Sequence, residues 1–256
     1  MARRGARRSR AGARRHELTS GADVTGVWAV LVAAGRGDRL GGENPKAFAG
    51  LGGRPLLAES VERLDASEWV EAIVVVAPEG WEEPVILLAE EVGAGKVALS
   101  VPGGETRAGS VRAGLAEVPP EAAVVLVHDA ARPLLPEAVV ERVVLGLEPG
   151  WDGVVPGVGV PDTVKRVEGG GVVETVSREG LVAVQTPQAF PADVLRSALA
   201  AAVEGASDCA GYVEATGGRV RVVEGDPRLL KVTTPADLAF AEALLAAERG
   251  GVSAED

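Results

Sequence analysis

The sequence predicts an α/β protein built on a doubly wound, mostly parallel sheet. Four short runs, at residues 27–33, 72–78, 96–101 and 122–129, are apolar on both faces. Such runs are typical of parallel strands that helices cover on both sides. Segments with helical periodicity lie between them, and strand, helix and strand alternate three times. This order favours right-handed crossovers within one open sheet.

Helical signals lie at several places. Residues 54–66 and 106–118 carry apolar side chains at spacings of three and four, as an amphipathic helix requires. A closing helix is predicted over residues 234–250, with Thr234 as its N-cap and Pro235 at its first position. A helix at residues 191–203 and a strand at residues 219–225 are predicted before it.

A projecting hairpin is predicted at about residues 158–180. Three glycines, at residues 169–171, separate two segments, 162–167 and 172–178, that are too polar at alternate positions to lie in a core. An isolated hairpin is marginally stable in water. We therefore expect a second copy of the chain to support it, which makes the hairpin a homodimerisation arm.

Composition favours one globular domain, expected over residues 25–250 of the 256-residue chain, which is 46% hydrophobic. Residues 1–24 are expected to form a disordered basic tail, with RNA or membrane-surface contact as an alternative. Seven of the 26 basic residues lie in residues 1–15, which leaves 19 against 37 acidic residues and a formal charge of −18. A body this acidic excludes nucleic-acid binding, so any positive surface is local and suits a small anionic ligand.

The sequence favours a cytoplasmic protein without membrane contact. No apolar run approaches the roughly 18 residues of a membrane helix. Cleavage of a secretory signal would remove the first strand, which argues against one. Cys209 is the only cysteine, so an intrachain disulfide is impossible. A nucleophilic role for Cys209 has little support, since only His16 and His128 could act as its base.

A glycine-rich, basic segment follows the first strand. It does not match the dinucleotide-binding pattern, because Leu40 stands where a third glycine belongs, and Glu43 after Gly42 excludes a P-loop. Its bare backbone amides and its cations still suit a triphosphate. A solvated surface turn is the alternative. The residues concerned are Gly35, Arg36, Gly37, Arg39, Gly41, Gly42 and Lys46.

A second polar segment, residues 127–133, ends another predicted strand of the same sheet. Asp129 there would lie beside the phosphates and could bind Mg²⁺, which prefers one or two carboxylates together with phosphate oxygens. The alternative for Asp129 is a turn residue at the strand end. His128 is expected to cap or pack and not to act as a base.

Seven motifs occur in the order seen in 2-C-methyl-D-erythritol 4-phosphate cytidylyltransferases, and the chain resembles that family from about residue 27 to 246. Three segments depart from the family's common pattern: residues 181–184 lack a tryptophan, residues 207–211 read SDCAG where TDDAS is common, and Leu229–Leu230 replace Asn-Ile. The motifs are AAGxGxRLG…PK from Ala33 to Lys46, GGETRAGSV from Gly103, HDAARP from His128, DTVK from Asp162, TVSR from Thr175, QTPQAF from Gln185 and KVTTPADL from Lys231.

The resemblance implies a Rossmann-like nucleotidyltransferase fold, a homodimer, and an enzyme that makes 4-diphosphocytidyl-2-C-methyl-D-erythritol and pyrophosphate from CTP and a sugar-alcohol phosphate. The resemblance also implies which residues form the site. Arg39 and Lys46 would bind the triphosphate, and Ala33, Ala34, Gly35 and Gly37 would line the rest of the nucleotide. Gly104, Glu105 and Ser110 would contact cytosine, and Arg107 would brace their loop. Asp129 and Ala130 would lie by the ribose and metal, and Arg132, Thr163, Ser207, Lys231 and the partner's Arg178 would surround the acceptor phosphate.

The implied chemistry needs no general base, because a phosphate monoester is largely ionised at neutral pH. Its difficulty is the repulsion between two anions, which Arg39, Lys46, Lys231 and Mg²⁺ would offset. The alternatives are a ribitol 5-phosphate cytidylyltransferase, a nucleotide-sugar glycosyltransferase and a non-catalytic nucleotide-binding protein.

Overall fold

An eight-stranded sheet organises the protein in the computed structural model, which describes residues 26–35, 44–201 and 206–251. The strands are β1 Val27–Val32, β2 Gly50–Leu51, β3 Arg54–Pro55, β4 Ala72–Ala77, β5 Val97–Pro102, β6 Val124–Asp129, β7 Gly153–Gly159, β8 Val164–Glu168, β9 Gly171–Val176, β10 Val182–Val184, β11 Gln188–Pro191 and β12 Val220–Glu224. The helices are α1 Leu56–Ala66, α2 Glu82–Glu91, α3 Arg107–Ala116, α4 Glu137–Leu145, α5 Ala192–Ala200, α6 Cys209–Ala215 and α7 Pro235–Gly251, with a 3₁₀ turn at Lys46–Phe48.

The parallel half of the sheet is as predicted. Strand β1 pairs in parallel with β4 and β6, and β4 pairs in parallel with β5. The register places Val32 opposite both Val76 and Asp129. The carboxyl ends of these strands therefore meet at one edge of the sheet, where doubly wound folds bind ligands.

The other half is mixed, and most of it was not predicted. Strand β11 runs antiparallel between β6 and β7, β10 pairs antiparallel with β7, and β12 pairs with β7 in parallel. Only the strand at β12 had been predicted. Strand β7 carries glycines and Pro156, and β10 and β11 have three and four residues. Segments this short, or this rich in glycine and proline, lack the alternation that predicts a strand.

Helices cover both faces of the sheet. Leu31 of β1 packs with Leu57 of α1 and with apolar residues of α2 and α4. Its neighbour Val30 packs with Val111 of α3 and Leu195 of α5 on the other face. Successive strand residues point to opposite faces, so the sheet is buried on both sides.

Two arginines join α3 to α5. Arg112 of α3 donates from Nε to the Leu199 carbonyl near the end of α5, at 2.8 Å. Arg196 of α5 donates from Nη2 to the Val118 carbonyl just after α3, also at 2.8 Å. Because carbonyls at and just beyond a helix C-terminus lack partners within the helix, each arginine satisfies an acceptor at the end of the other helix. This pair fixes α3, whose first residue, Arg107, is a predicted site residue.

Strands β8 and β9 form a separate two-stranded sheet, so the predicted pairing of these segments is present. Gly169 and Gly170 make the turn with φ of 55° and 83°, a conformation that glycine adopts without strain. Val172 on β9 is 62% exposed. The role of this hairpin as a dimerisation arm stays a prediction. The predicted tail, residues 1–24, lies outside the described residues.

The closing helix begins as predicted. The N–H of Asp237 donates to the Thr234 hydroxyl at 3.2 Å, and the Asp237 carboxylate accepts from the N–H of Thr234 at 2.8 Å. This reciprocal pair is a capping box, with Pro235 at the first helical position. Among the described helices, none has the length and apolar character to cross a bilayer.

Candidate functional site

A cavity of about 800 Å³ lies where β1 and β6 end, between α3 and the segment before α7. Its volume is within the roughly 300–1,000 Å³ of small-molecule sites. Eleven of the predicted residues line it: Ala33, Ala34, Gly35, Lys46, Gly104, Glu105, Arg107, Ser110, Asp129, Ala130 and Lys231. Gly37 and Arg39 lie outside the described residues.

Asp129 links the cations of the cavity. Its Oδ1 accepts hydrogen bonds from Nε and Nη2 of Arg107 at 3.1 and 2.9 Å, and its Oδ2 accepts from Nζ of Lys231 at 2.7 Å. Burial raises the pKa of this carboxyl, but the charges and hydrogen bonds of Arg107 and Lys231 outweigh burial and hold the pKa well below its usual range. Asp129 is therefore an anion at neutral pH.

Lys46 is placed by its neighbours in the chain. Lys46 is the first residue of the 3₁₀ turn. In this turn the N–H of Phe48 donates to the Pro45 carbonyl at 2.8 Å. Ala47 is buried in the core, and the Phe48 ring lies 4.5 Å from the ring of Trp81. These contacts anchor the turn and place Lys46 on the cavity wall.

The loop before α3 packs so closely against its neighbours that Gly103 and Gly104 leave no room for a side chain. A Cβ on Gly103 would clash with the Cβ of Ala34, and one on Gly104 would lie 2.9 Å from the Gly109 carbonyl carbon. The Ser110 hydroxyl accepts from the N–H of Gly104 at 3.2 Å. The loop thus rests against the start of α3, whose N-terminus faces the cavity and favours an anion there.

His128 is part of a buried network behind the cavity. Its Nε2 lies 3.1 Å from the Arg132 carbonyl oxygen, which can only accept, so Nε2 carries the proton. Nδ1 then accepts from the Thr186 hydroxyl at 3.0 Å, and that hydroxyl accepts from the N–H of Asp129 at 3.1 Å. Burial lowers the pKa of His128 to about 4. His128 is neutral and packed, in agreement with the sequence analysis.

Four predicted residues do not line this cavity. Arg132 follows β6, and its Nη1 donates to the Leu229 carbonyl at 2.6 Å. Thr163 and Arg178 are exposed at the base of the hairpin, where Arg178 donates to the Pro161 carbonyl. Ser207 is exposed just before α6. Their assignment to an acceptor site stays a prediction.

Cys209 contacts the cavity through Arg107. Nη1 of Arg107 donates to its Sγ at 3.6 Å, and the thiol is 1% exposed. Burial raises the pKa of Cys209 to about 11, although Arg107 opposes the shift. A protonated, buried thiol is a poor nucleophile, so Cys209 packs and orients Arg107.

Sequence reasoning missed two hydroxyls on the cavity wall, those of Thr106 and Thr233. Thr106 caps α3, where its hydroxyl accepts from the N–H of Gly109 at 3.0 Å. The Thr233 hydroxyl donates to the Asp237 carboxylate at 2.7 Å. Both residues lie inside motifs that the sequence analysis quoted. Thr106 could have been found from the sequence, because it stands where an N-cap is expected and its neighbours are assigned to the nucleotide.

A family model described as IspD, 2-C-methyl-D-erythritol 4-phosphate cytidylyltransferase, matches residues 27–247. The chain belongs to this family. Cytidylyltransferases of this name from Nocardia farcinica and Streptomyces coelicolor are 49% and 46% identical over 220 and 230 residues. Each covers 86% of this chain, and the matches span 94% and 85% of those relatives.

Solved structures of the 2-C-methyl-D-erythritol 4-phosphate cytidylyltransferase family share the fold. The Thermus thermophilus enzyme is 37% identical to this chain, with a TM-score of 0.70. The match covers 84% of this chain and 97% of the Thermus thermophilus chain. The 4-diphosphocytidyl-2C-methyl-D-erythritol synthase from Anaerococcus prevotii is 26% identical to this chain, with a TM-score of 0.75. That match covers 87% of this chain and 99% of the Anaerococcus prevotii chain. These likenesses confirm the α/β nucleotidyltransferase fold.

Proposed function

We infer that this chain transfers the cytidylyl group of CTP to 2-C-methyl-D-erythritol 4-phosphate in non-mevalonate isoprenoid biosynthesis. The products are 4-diphosphocytidyl-2-C-methyl-D-erythritol and pyrophosphate. The observation that carries the inference is the meeting of Lys46, Asp129 and Lys231 on one cavity wall in a chain of this family. A reducing cytoplasm is the proposed location, since the single cysteine forms no intrachain disulfide.

In the proposed reaction an oxygen of the acceptor phosphate attacks the α-phosphorus of CTP. A new P–O bond forms, the bond to the β-phosphate oxygen breaks, and pyrophosphate leaves with the electron pair. The attacking phosphate is largely ionised at neutral pH, so no side chain has to remove a proton. This agrees with His128, which is buried and bonded to the Arg132 carbonyl and to Thr186.

Electrostatics is the main task of the protein in this reaction. Two anions must approach each other in line, and preorganised cations oppose their repulsion. We propose that Lys46 and Arg39 bind the triphosphate and that Lys231 faces the acceptor phosphate. Support for Lys231 is its 2.7 Å contact with the buried Asp129, which holds the ammonium at the cavity. The two lysines would also stabilise the departing pyrophosphate.

We propose Mg²⁺ as the cofactor, held by Asp129 and by phosphate oxygens of CTP. The donor set fits this ion, because Mg²⁺ is commonly bound by one carboxylate together with substrate phosphates. A carboxylate offers about four lone-pair positions, and hydrogen bonds from Arg107 and Lys231 use three at Asp129. No group of three ligating side chains occurs within residues 26–35, 44–201 and 206–251, so no cage made of protein alone is proposed. The ion would neutralise charge on the phosphates.

We propose that the protein is a homodimer joined through the hairpin of β8 and β9. The hairpin and the nearby strand β10 expose apolar side chains: Val167, Val172, Val173, Val182 and Val184 are 38% to 62% exposed. A second copy would cover this surface. Arg178 would then reach the partner's acceptor site, which explains its absence from the cavity of its own chain.

The test is pyrophosphate release from each of the four nucleoside triphosphates, with methylerythritol phosphate and Mg²⁺. Release from CTP alone is expected, together with a diphosphate diester in the ³¹P NMR spectrum. Competition with ribitol 5-phosphate then identifies the acceptor. CTP binding without turnover would support a nucleotide-binding protein instead, and faster turnover with ribitol 5-phosphate would support the other cytidylyltransferase.

A further inference from the structure

The turn at residues 129–132, named here the Asp129 turn, has a hydrogen-bond donor on each of its four backbone carbonyls. Two donors are backbone groups: the N–H of Arg132 donates to the Asp129 carbonyl at 2.9 Å, and the N–H of Val232 donates to the Ala131 carbonyl at 2.8 Å. The second contact joins the turn to the segment that carries Lys231. The other two donors are side chains from behind the cavity.

Ser60 supplies the third donor from α1. Its hydroxyl donates to the Ala130 carbonyl at 2.9 Å across 70 residues of sequence, and Ser60 is 0% exposed. A serine in the middle of a helix often points to solvent or bonds its own helix. Here the hydroxyl joins α1 to the residue after Asp129.

His128 supplies the fourth donor, since its Nε2–H donates to the Arg132 carbonyl at 3.1 Å. The ring is 0% exposed, and Thr186 fixes its tautomer by donating to Nδ1. Ser60 and His128 thus hold the turn at Ala130 and at Arg132. Neither side chain lines the cavity.

Asp129 has to hold Arg107 and Lys231 in one arrangement while two phosphates react. A displacement of about 1 Å in a reacting group can lower a rate about a hundredfold. The contact with Lys231 gives the carboxylate little rigid support, because the Lys231 side chain is long, flexible and 42% exposed. The hydrogen-bonded backbone of the turn supplies rigid support from behind the cavity.

We propose that Ser60 and His128 are positioning residues of the cytidylyl transfer, which fix the Asp129 carboxylate by holding the Ala130 and Arg132 carbonyls. The proposal rests on the proposed function. It assigns chemistry to neither side chain.

Ser60→Ala tests the first contact, and Ser67→Ala is its matched control. Ser67 follows the same helix, is 1% exposed, and donates its own hydrogen bond to the Glu137 carboxylate at 3.1 Å, away from the cavity. Both variants lose one buried hydroxyl, so both are expected to lower Tm by a few degrees, about 2–4 °C. Only Ser60→Ala is expected to lower kcat, by about tenfold, with the KM for CTP within about twofold.

His128→Gln and His128→Leu test the second contact. Glutamine can place an amide N–H near the position of Nε2 and is expected to retain most of the turnover, whereas leucine has no donor and is expected to lower kcat about tenfold. Equal kcat values in these two variants would contradict the proposal for His128.

A double variant tests whether Ser60 acts through Asp129. In an Asp129→Asn background, Ser60→Ala is expected to change kcat less than about twofold, because the group it positions is already altered. An independent tenfold loss in that background would overturn the proposal, as would a kcat for Ser60→Ala equal to that of Ser67→Ala. If Ser60→Ala does not fold, Ser60→Cys, which keeps the volume but is a weak donor, replaces it. If the unaltered chain releases no pyrophosphate from CTP, the proposed function fails and this proposal falls with it.

Discussion

The Asp129 carboxylate lies 2.7 Å from the Nζ of Lys231, although the two residues are 102 positions apart in the sequence. Asp129 ends a buried strand of the sheet, and Lys231 precedes the closing helix. The hydrogen bond from Val232 to Ala131 holds the two segments side by side. The charged wall of the cavity is therefore a product of tertiary structure.

Asp129→Asn is expected to lower kcat by at least about a hundredfold, or about 2.7 kcal/mol in transition-state stabilisation. The variant removes the charge that holds both Arg107 and Lys231. Steady-state pyrophosphate release measures kcat, and circular dichroism confirms that the variant is folded. Turnover within a factor of two of the unaltered chain would remove Asp129 from the proposed mechanism.

Mixed dimers of Lys46→Ala and Arg178→Ala subunits are expected to recover up to half of the unaltered activity. If Arg178 completes the partner's site, the Arg178→Ala subunit keeps its own Lys46 and receives an intact Arg178. Its site is then complete. Co-expression with two different affinity tags isolates the mixed species. Inactive mixed dimers would mean that each chain builds its own site.

Cys209 is expected to resist alkylation in the folded protein. Its pKa of about 11, raised by burial, reduces the thiolate fraction at pH 8 by about a hundredfold relative to a free thiol. Because it is the only cysteine, the mass of the intact chain reports its reaction with iodoacetamide directly. We expect complete labelling in guanidinium and almost none in buffer. Equal rates under both conditions would contradict the placement of α6 against Arg107.

Asp237 is expected to stabilise the protein less in acid. The hydroxyl and N–H of Thr233, with the N–H of Thr234, lower the pKa of Asp237 from 3.8 to about 2. The stabilisation is present above about pH 4 and is lost as the pH falls through the folded-state value.

Thermal unfolding of the unaltered chain and Asp237→Asn measures this contribution. At pH 6 the unaltered chain is expected to be more stable by up to about 1 kcal/mol, a small value because solvent screens this helix cap. The difference is expected to shrink at pH 3. A constant difference between the two pH values would exclude this cap as its source.

The sequence predicted those parts of the fold in which local pattern and tertiary structure agree. The parallel strands are apolar on both faces because helices cover both. The closing helix begins at a capping box, and the sequence around Thr234 predicts that helix start. Strands β7, β10 and β11 were missed because they depend on neighbours distant in sequence, and β7 contains Pro156.

The site was predicted mainly through the resemblance. Glycines, cations and Asp129 stand in recognisable motifs, so eleven of the assigned residues line the cavity. Ser60 has no motif around it, and its importance depends on a carbonyl 70 residues away. The place of Arg132 depends on the direction of the chain after a strand, and the role proposed for Arg178 depends on a second subunit. Neither can be predicted from spacing.

The most direct test of the central claim, that cations from distant segments enable two phosphates to react, compares three lysine variants in pyrophosphate release. Lys46→Ala and Lys231→Ala each remove one cation from the cavity. Lys96→Ala is the control, since its Nζ donates to the Ser67 carbonyl, away from the cavity. Each cavity variant is expected to lose about 3 kcal/mol of transition-state stabilisation, which lowers kcat at least about a hundredfold. Lys96→Ala is expected to lower kcat less than about twofold. Near-normal turnover in either cavity variant, with CTP and methylerythritol phosphate, would contradict the account.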